Sequence, residues 1–483
     1  MPTGADRPRR VNTLADLVCS RPVVSVSRDE SGRDSRETAE DRGRRPAEAP
    51  RHALVLLFGR VRGTGGERVL GSEAVQLGRE VDPERHVQVD DHRASRRHAE
   101  IVWSDKQRAY WIRDLGSRNG VHVNGERVAR EILTSGDLLR VGETVFRFSA
   151  IERAVPELAP AEPAFVGRSS SLRRSLALAV QVAAGNAPVL ILGPTGTGKQ
   201  LVAEAIHRAS GRAGPLVSVN CAALPSHLVE SELFGHEKGA FSGAEAARPG
   251  LFRAAQDGTL FLDEVGELAP EIQAKLLRVL DARLIRPVGA VAETPVHVRV
   301  VSATNRDLGA AISDGGFRGD LYARLSESIV PLAPLRDRPE DLEPLWHHFV
   351  EQLGQGVVIE LCGAAFEAMA LHDWPFNVRE LRQLVRSTLR LKPHGGVLAV
   401  DDLPATMRRP QPERRTPSEP PVTRAVLLAA GETPSPRQLR QLVEEFRGNV
   451  KEVAAFLGKD RKQIYRWLRR ERIDPDAYRR SDP

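Results

Sequence analysis

The stretch that most constrains this chain runs from Pro188 to Leu201, PVLILGPTGTGKQL. Val189 to Leu192 is a short β-branched and leucine run, the pattern of a buried strand. A helical pattern, QLVAEAIHRAS, begins after Lys199. Between them Gly193, Pro194, Thr195, Gly196, Thr197, Gly198 and Lys199 carry the spacing G-x-x-x-x-G-K of a phosphate-binding loop. The three glycines let successive N–H groups converge on an anion, and the following helix N-terminus adds positive potential. Lys199 supplies a point charge for the β- and γ-phosphates. Gln200 stands where a Ser or Thr usually ligates magnesium, so that direct ligand is absent. Downstream, Gly258 to Val265 reads GTLFLDEV, an apolar strand tipped by two carboxylates. Asp263 is the candidate to hold Mg2+ through its water shell, and Glu264 to orient and deprotonate an attacking water. An acidic pair at a strand end is often only a cap or a surface pair; after a phosphate loop, nucleotide hydrolysis is the stronger reading.

At 483 residues the chain exceeds a single core and predicts three domains with linkers. A net charge of +6 and a pI near 9.4 are mildly basic. Cys19, Cys221 and Cys362 have no paired spacing, which argues against a disulfide framework or a zinc site and fits a reducing cytoplasm. No apolar run reaches the 18 or so residues of a membrane span, and the first residues lack a signal-peptide core, so the expectation is a cytoplasmic protein with no membrane partner. Residues 1–51 are rich in Arg, Asp, Glu, Ser and Pro and are expected to be a disordered tail. Its apolar pieces, Leu14 to Val18 and Val23 to Val26, are a candidate docking peptide.

From 52 to 151 short alternating runs separated by turn residues predict an all-β sandwich. The runs are ALVLLFGRV, AVQLGRE, HAEIVWSD, AYWIRDL, HVNGERV, LLRVG and TVFRFS. Gly78-Arg79, Ser95-Arg96-Arg97-His98, Asp114 to Gly120, Val123-Asn124-Gly125 and Gly136-Asp137 fall in the order found in forkhead-associated (FHA) domains, which this region resembles over about one hundred residues. The resemblance implies phosphothreonine-peptide binding. Arg79 would contact the phosphate and Ser95 would hydrogen-bond it, Arg96 and Arg118 would flank it, and Asn119 would grip the peptide backbone. His98 would buttress the loop. Val121 stands where the family usually has Thr. The bland alternative is an FHA fold that serves as a phosphate-independent interaction module.

Residues 152–163 are a Pro/Glu/Ala linker, and 164–404 form an α/β region. That region resembles the AAA+ ATPase domain of bacterial enhancer-binding proteins, the activators of sigma-54 RNA polymerase. FVGRSSSL opens it, and SELFGHEKGAFSGA, Ser231 to Ala244, carries the family's GAFTGA loop with Ser242 in place of Thr. The resemblance implies ATP and Mg2+ as cofactors, and a mobile loop, Gly239, Ala240, Phe241, Ser242, Gly243 and Ala244, that reaches sigma-54. It also implies that Asn220 restrains Glu264, that Asn305 senses the γ-phosphate, that Arg318 and Arg324 are arginine fingers, and that Arg379 is the second sensor, in a lid spanning about 337–404. Fingers supplied in trans imply a homo-oligomer, dimer to hexameric ring. The family usually has Gly where Phe376 stands, so this turn must avoid positive φ.

Residues 405–432 are a proline-rich linker. The segment from Thr433 to Pro483 holds 13 Lys/Arg against 8 Asp/Glu, most of the chain's excess charge. Three helical patterns, Pro436 to Phe446, Asn449 to Leu457 and Arg461 to Arg470, broken at Gly458, predict a helix-turn-helix. GNVKEVAAFLGKDRKQIYRWLRRERI resembles the Fis-type DNA-binding end of enhancer-binding proteins. Ala454, Leu457 and Ile464 would pack the turn; Arg461, Lys462, Gln463, Arg466 and Arg469 would face DNA. The expected protein is therefore multidomain: all-β sandwich, α/β AAA+ ATPase with helical lid, and all-α helix-turn-helix. The resemblance implies an ATP-dependent activator that binds enhancer DNA, remodels sigma-54 RNA polymerase and answers to a phosphothreonine-containing protein, such as a Ser/Thr kinase or the chain itself. Alternatives are a remodelling ATPase with no sigma-54 target and a passive DNA-binding repressor.

Overall fold

Alternation of apolar and polar residues between His52 and Ala150 produces two six-stranded sheets packed face to face. The computed structural model describes residues 52–62, 66–105, 107–151, 165–241, 244–408 and, near the C-terminus, 439–440, 442–443, 446, 448–457, 459–471 and 473–475. The expected tail, its docking peptide, the linker 152–163, Ser242, Gly243, Gly458 and nearly all of the proline-rich linker lie outside them. One sheet orders Glu67–Leu70, His52–Phe58, Thr144–Ala150, Leu138–Val141, Val121–Val123 and Glu126–Val128. The other orders Arg130–Ile132, Ala109–Asp114, Ala99–Ser104, Val75–Gly78, Val87–Val89 and Val61–Arg62. Leu54, Leu77, Ile101, Ile112, Val121, Leu139, Phe146 and Phe148 fill the space between. The run HVNGERV is a hairpin rather than one strand, because Asn124 and Gly125 take φ of 51° and 82°.

The α/β core is a parallel five-stranded sheet ordered Leu216–Asn220, Thr259–Asp263, Arg299–Thr304, Val189–Leu192, Ser328–Pro331. Its strands read as continuous apolar runs because helices cover both faces, so no alternation survives. The phosphate loop and the Asp263-Glu264 tip therefore emerge at the same carboxyl edge of the sheet, where open α/β folds bind ligands. Arg299 is a buried cation inside the central strand. Its guanidinium donates to the carbonyls of Ala183 (2.7 Å) and Val182 (2.6 Å), at the C-terminus of helix Ser170–Ala183, where the helix dipole is negative.

The lid packs helices Leu342–Gly354, Gly363–Leu371 and Asn377–Leu391 around Trp346, Phe366 and Trp374. The short helix Ala405–Arg408 still belongs to it, since Met407 is buried in the same core. In the C-terminal segment Val450–Leu457 and Arg461–Arg470 form the two expected helices, with Ala454 and Ile464 buried and Leu457 partly buried between them. The first expected helix falls mostly outside the described residues. Among the described residues, no helix is long and apolar enough to cross a membrane.

His122 lies in the sandwich, in strand Val121–Val123. Burial, then the Arg140 and Arg127 charges and His98, lower its pKa from 6.5 to about 4. Below pH 6.5 the unfolded chain takes up a proton that the folded sandwich refuses, so stability is lost as pH falls from 6.5 towards 4. Thermal melts between pH 7 and 4.5 should show the sandwich transition dropping in the wild type, and dropping less in His122→Gln.

Candidate nucleotide and phosphate sites

The strand Val189–Leu192 ends at Gly193, and the chain turns through Gly196 (φ 79°) and Gly198 (φ 105°) into helix Lys199–Ser210. No hydrogen bond among the described residues takes up the N–H groups of Thr195, Gly196, Thr197 or Gly198. Free N–H groups on a loop ahead of a helix N-terminus are what a phosphate chain fits. Lys199 is buried and bends back, donating to the carbonyls of Gly193 (3.1 Å) and Pro194 (3.5 Å) and to Glu264 Oε1 (3.4 Å). Gln200 is exposed and bonds Glu204 along the helix, so its side chain takes no part in the loop.

Glu264 follows the strand in the left-handed region, φ 55° and ψ 49°, which aims its carboxylate back at the phosphate loop. Its Oε2 accepts from the Asn305 N–H at 3.1 Å, while the Asn305 carboxamide donates to Thr195 Oγ1 at 2.7 Å. Strand end Thr304-Asn305 thus spans both motifs. Burial, reinforced by the Glu264 charge and opposed by Lys199, raises the Asp263 pKa. The same two carboxylates add to burial in pushing the Cys221 thiol up to about 12. A cleft of about 720 Å³ opens in front of this edge, lined by Leu192 to Thr195, Thr304 to Gly309, Tyr322, Pro375 and Phe376.

The structure brings Lys199, Asp263, Glu264, Asn305 and Thr195 together. It does not join Asn220 to Glu264: the Asn220 carboxamide oxygen instead accepts from the N–H groups of Ala222 (2.9 Å) and Ala223 (3.2 Å), satisfying the start of the next turn. Arg379 lies on the first turn of lid helix Asn377–Leu391, near enough to Asp263 for its charge to oppose slightly the rise in that carboxyl's pKa, and its Cβ flanks Gly196. Phe376 takes φ −108° as expected, and the positive φ values fall on Trp374 (51°) and Asn377 (52°) instead. Arg318 is exposed at the N-cap of helix Gly319–Leu325, and Arg324 is partly exposed in its last turn. Arg318 forks onto Asp320 (3.0 and 2.7 Å), and Arg324 pairs with Asp281 (2.6 Å) and Glu327 (2.5 Å).

The loop after Gly235–His236 carries Gly239, Ala240, Phe241 and Ala244. Phe241 is 38% exposed and rests edge-on against His236, with ring centres 5.0 Å apart, so it does not enter a core. Val291, 93% exposed, lies in the neighbouring loop, where Gly289 closes against Ala240.

At one end of the sandwich the predicted phosphate residues converge. Arg79 N–H donates to Ser95 O (3.0 Å), Arg118 N–H donates to Ser95 Oγ (3.2 Å), and Asn119 Nδ2 donates to Arg93 O (2.6 Å). Arg79, Arg96 and Arg118 are exposed. His98 is fully buried; its ring bonds Ser95 N and Gly120 O, which makes it the loop's support. Gly78 is required, because a Cβ there would sit 2.3 Å from Arg96 O. In the C-terminal segment Arg461, Lys462, Arg466 and Arg469 are exposed on helix Arg461–Arg470 and Gln463 is partly buried, while Trp467 and Leu468 face inward.

Comparison with known proteins agrees with this geometry. Residues 165–331 match the Sigma-54 interaction domain, 336–420 the AAA+ ATPase lid domain and 75–142 the FHA domain. The chain is 36% identical over 341 residues to the transcriptional regulatory protein GlrR of Escherichia coli (strain K12), covering 69% of this chain and 74% of that protein. It is 40% identical over 299 residues to the regulatory protein AtoC of the same organism (61% and 65% covered), and 51% over 226 residues to the sigma54-dependent transcriptional activator SfnR of Pseudomonas putida (46% and 62%). It thus spans about two-thirds or less of the length of these last two relatives. Among solved structures, NtrX from Brucella abortus in complex with ATP is similar at 32% identity and a TM-score of 0.46, covering 64% of this chain and 69% of that one. The chain belongs to the family of sigma-54-dependent transcriptional activators, with an FHA domain ahead of the family's AAA+ ATPase domain and lid.

Proposed function

We propose that this protein is an ATP-dependent transcription activator that binds upstream enhancer DNA through its C-terminal helices and remodels sigma-54 RNA polymerase. In this reading it is regulated by phosphothreonine recognition at its FHA domain. The observation that carries the proposal is the joining of Lys199, Glu264 and Asn305 at one sheet edge with an exposed Phe241 loop on the same domain. Lys199 binds the β- and γ-phosphates once drawn away from Glu264. Glu264, steered by the Asn305 N–H, takes the proton of the attacking water, while the Asn305 carboxamide exchanges Thr195 for the γ-phosphate. Asp263 would hold Mg2+, which would supply charge neutralisation on the phosphates. Arg318 and Arg324 face outward, where a neighbouring subunit in a ring would offer its nucleotide to them. The basic face of Arg461, Lys462, Gln463, Arg466 and Arg469 suits the major groove and its phosphates.

Three outcomes test this. Glu264→Gln should bind ATP with little change and lose about 10²-fold or more in turnover, measured by phosphate release. Phe241→Ala should retain ATPase activity and lose ATP-dependent open-complex formation with sigma-54 polymerase; retained opening would remove the contact role. The full chain should bind a degenerate phosphothreonine peptide pool and not its unphosphorylated counterpart, with Arg79→Ala abolishing the difference.

A further inference from the structure

The outer face of the sandwich sheet that holds His52–Phe58, Thr144–Ala150 and Leu138–Val141 is not free. Leu57, Leu138 and Val145 are fully buried within the apolar core of the lid, and Phe58 stacks on Phe366 with ring centres 4.9 Å apart. Around this apolar centre lie charged contacts. Glu367 of lid helix Gly363–Leu371 is buried, accepting from Arg140 Nε (2.6 Å) and from the Gly125 N–H (2.8 Å) of the sandwich. Arg147 pairs with Glu340, and Arg168 joins Leu57 O (2.5 Å) to Glu343 (3.1 Å). The turn Gly142-Glu143 caps the lid helix itself: Glu143 Oε2 accepts the Gly363 N–H. A Cβ at Gly363 would lie 2.3 Å from Glu143 O, so the docked arrangement admits only glycine there.

Glu143 is also tied to the phosphate loops. Its Oε1 pairs with Arg93 at 2.7 Å, and the Arg93 carbonyl holds Asn119. Asp91 braces the same turn, accepting from the N–H groups of Glu143 and Arg93. On the other side, the lid helix leads to the nucleotide. Trp374 Nε1 donates to Met369 O (2.9 Å), and Asn377 two residues beyond Pro375 donates to Thr195 O in the phosphate loop (2.9 Å).

We propose that the sandwich is a clamp on the lid, and that Arg93 and Glu143 pass occupancy of the phosphate-binding loops to it. Docked, the sandwich holds helix Gly363–Leu371, and with it the Trp374 to Arg379 turn, in one position against the phosphate loop, so turnover is restrained. This rests on the phosphopeptide reading of Asn119. A peptide backbone that takes the Asn119 carboxamide removes it from Arg93 O, loosens the Arg93–Glu143 pair and weakens the cap on Gly363.

The test uses the full chain. Gly363→Ala adds the clashing Cβ while improving the helix, and Arg140→Glu sets like charges against Glu367 from the opposite side. Both should raise ATPase activity about fivefold. The double variant Arg140→Glu/Glu367→Arg should recover part of the restraint and turn over more slowly than Arg140→Glu alone, since the ion pair is restored while the Gly125 N–H loses its acceptor. The degenerate phosphothreonine peptide pool should stimulate the wild type but not Gly363→Ala, and should bind Gly363→Ala more tightly than the wild type, because undocking no longer opposes binding. Hydrogen exchange along Asn377–Leu391 verifies that the lid stays folded. Folded variants that hydrolyse at the wild-type rate would overturn the clamp. A pool that binds neither protein would overturn the phosphopeptide link alone, and the two ATPase measurements would still decide the restraint.

Discussion

Asn377 is the joint on which the ATPase half of the molecule depends. It is buried and held left-handed, and its carboxamide works in two directions. It accepts from Leu335 N–H at 2.7 Å and donates to Thr195 O at 2.9 Å, while the next residue, Val378, donates to Gly196 O at 3.0 Å. Sheet, phosphate loop and lid therefore meet through one side chain and one peptide. Close by, the buried Arg338 bonds Thr197 O and Asp341, and Asp341 accepts from the N–H groups of Arg168 and Ser169 where the domain begins. Removing either partner from so dry a network would leave unpaired charge, a cost of about 3–5 kcal/mol.

The carboxylate end of the central sheet is electrostatically crowded for a reason. Burial raises the Asp263 pKa, Glu264 adds to it, and the Lys199 ammonium opposes both. In the chain alone Lys199 is held by two carbonyls and one carboxylate, so the loop keeps its cation in place. A phosphate chain would replace these partners rather than meet a void. The strain of Glu264 in the left-handed region, on the order of 1 kcal/mol or more, is sustained by that same pair and by the Asn305 N–H.

Most of this was legible in sequence wherever function demands particular residues at fixed spacing. The glycines and Lys199 of the phosphate loop, the Asp263-Glu264 strand tip, the Ser95 to His98 loop and the basic helix Arg461–Arg470 all lie where their patterns place them. Phe376 avoids positive φ as its Cβ requires, and the turn moves the burden to Trp374 and Asn377. Other features left no signal. Glu67–Leu70 and Val87–Val89 are too short to show a period, and lid helix Gly363–Leu371 is apolar on nearly every side, so its pattern has no direction. The Asn220 carboxamide turns to the nearest free N–H groups rather than across to Glu264, a choice of partner that spacing does not encode. The contact of the sandwich with the lid was equally hidden, because Leu57, Phe58 and Val145 sit in runs that read as ordinary strands and nothing in the sequence around Gly363 marks a contact.

The two arginines proposed as fingers are already engaged in the single chain. Arg318 is neutralised by Asp320, and Arg324 by Asp281 and Glu327, all in solvent. Exposed pairs of this kind contribute little to stability, and salt weakens them. In the proposed ring, each arginine must leave its own acids before it can serve a neighbour. Ionic strength then acts twice, easing that release while screening the new attraction across the boundary. In such a ring the solution ions would therefore act through a few exposed pairs on how readily separate subunits become a working enzyme.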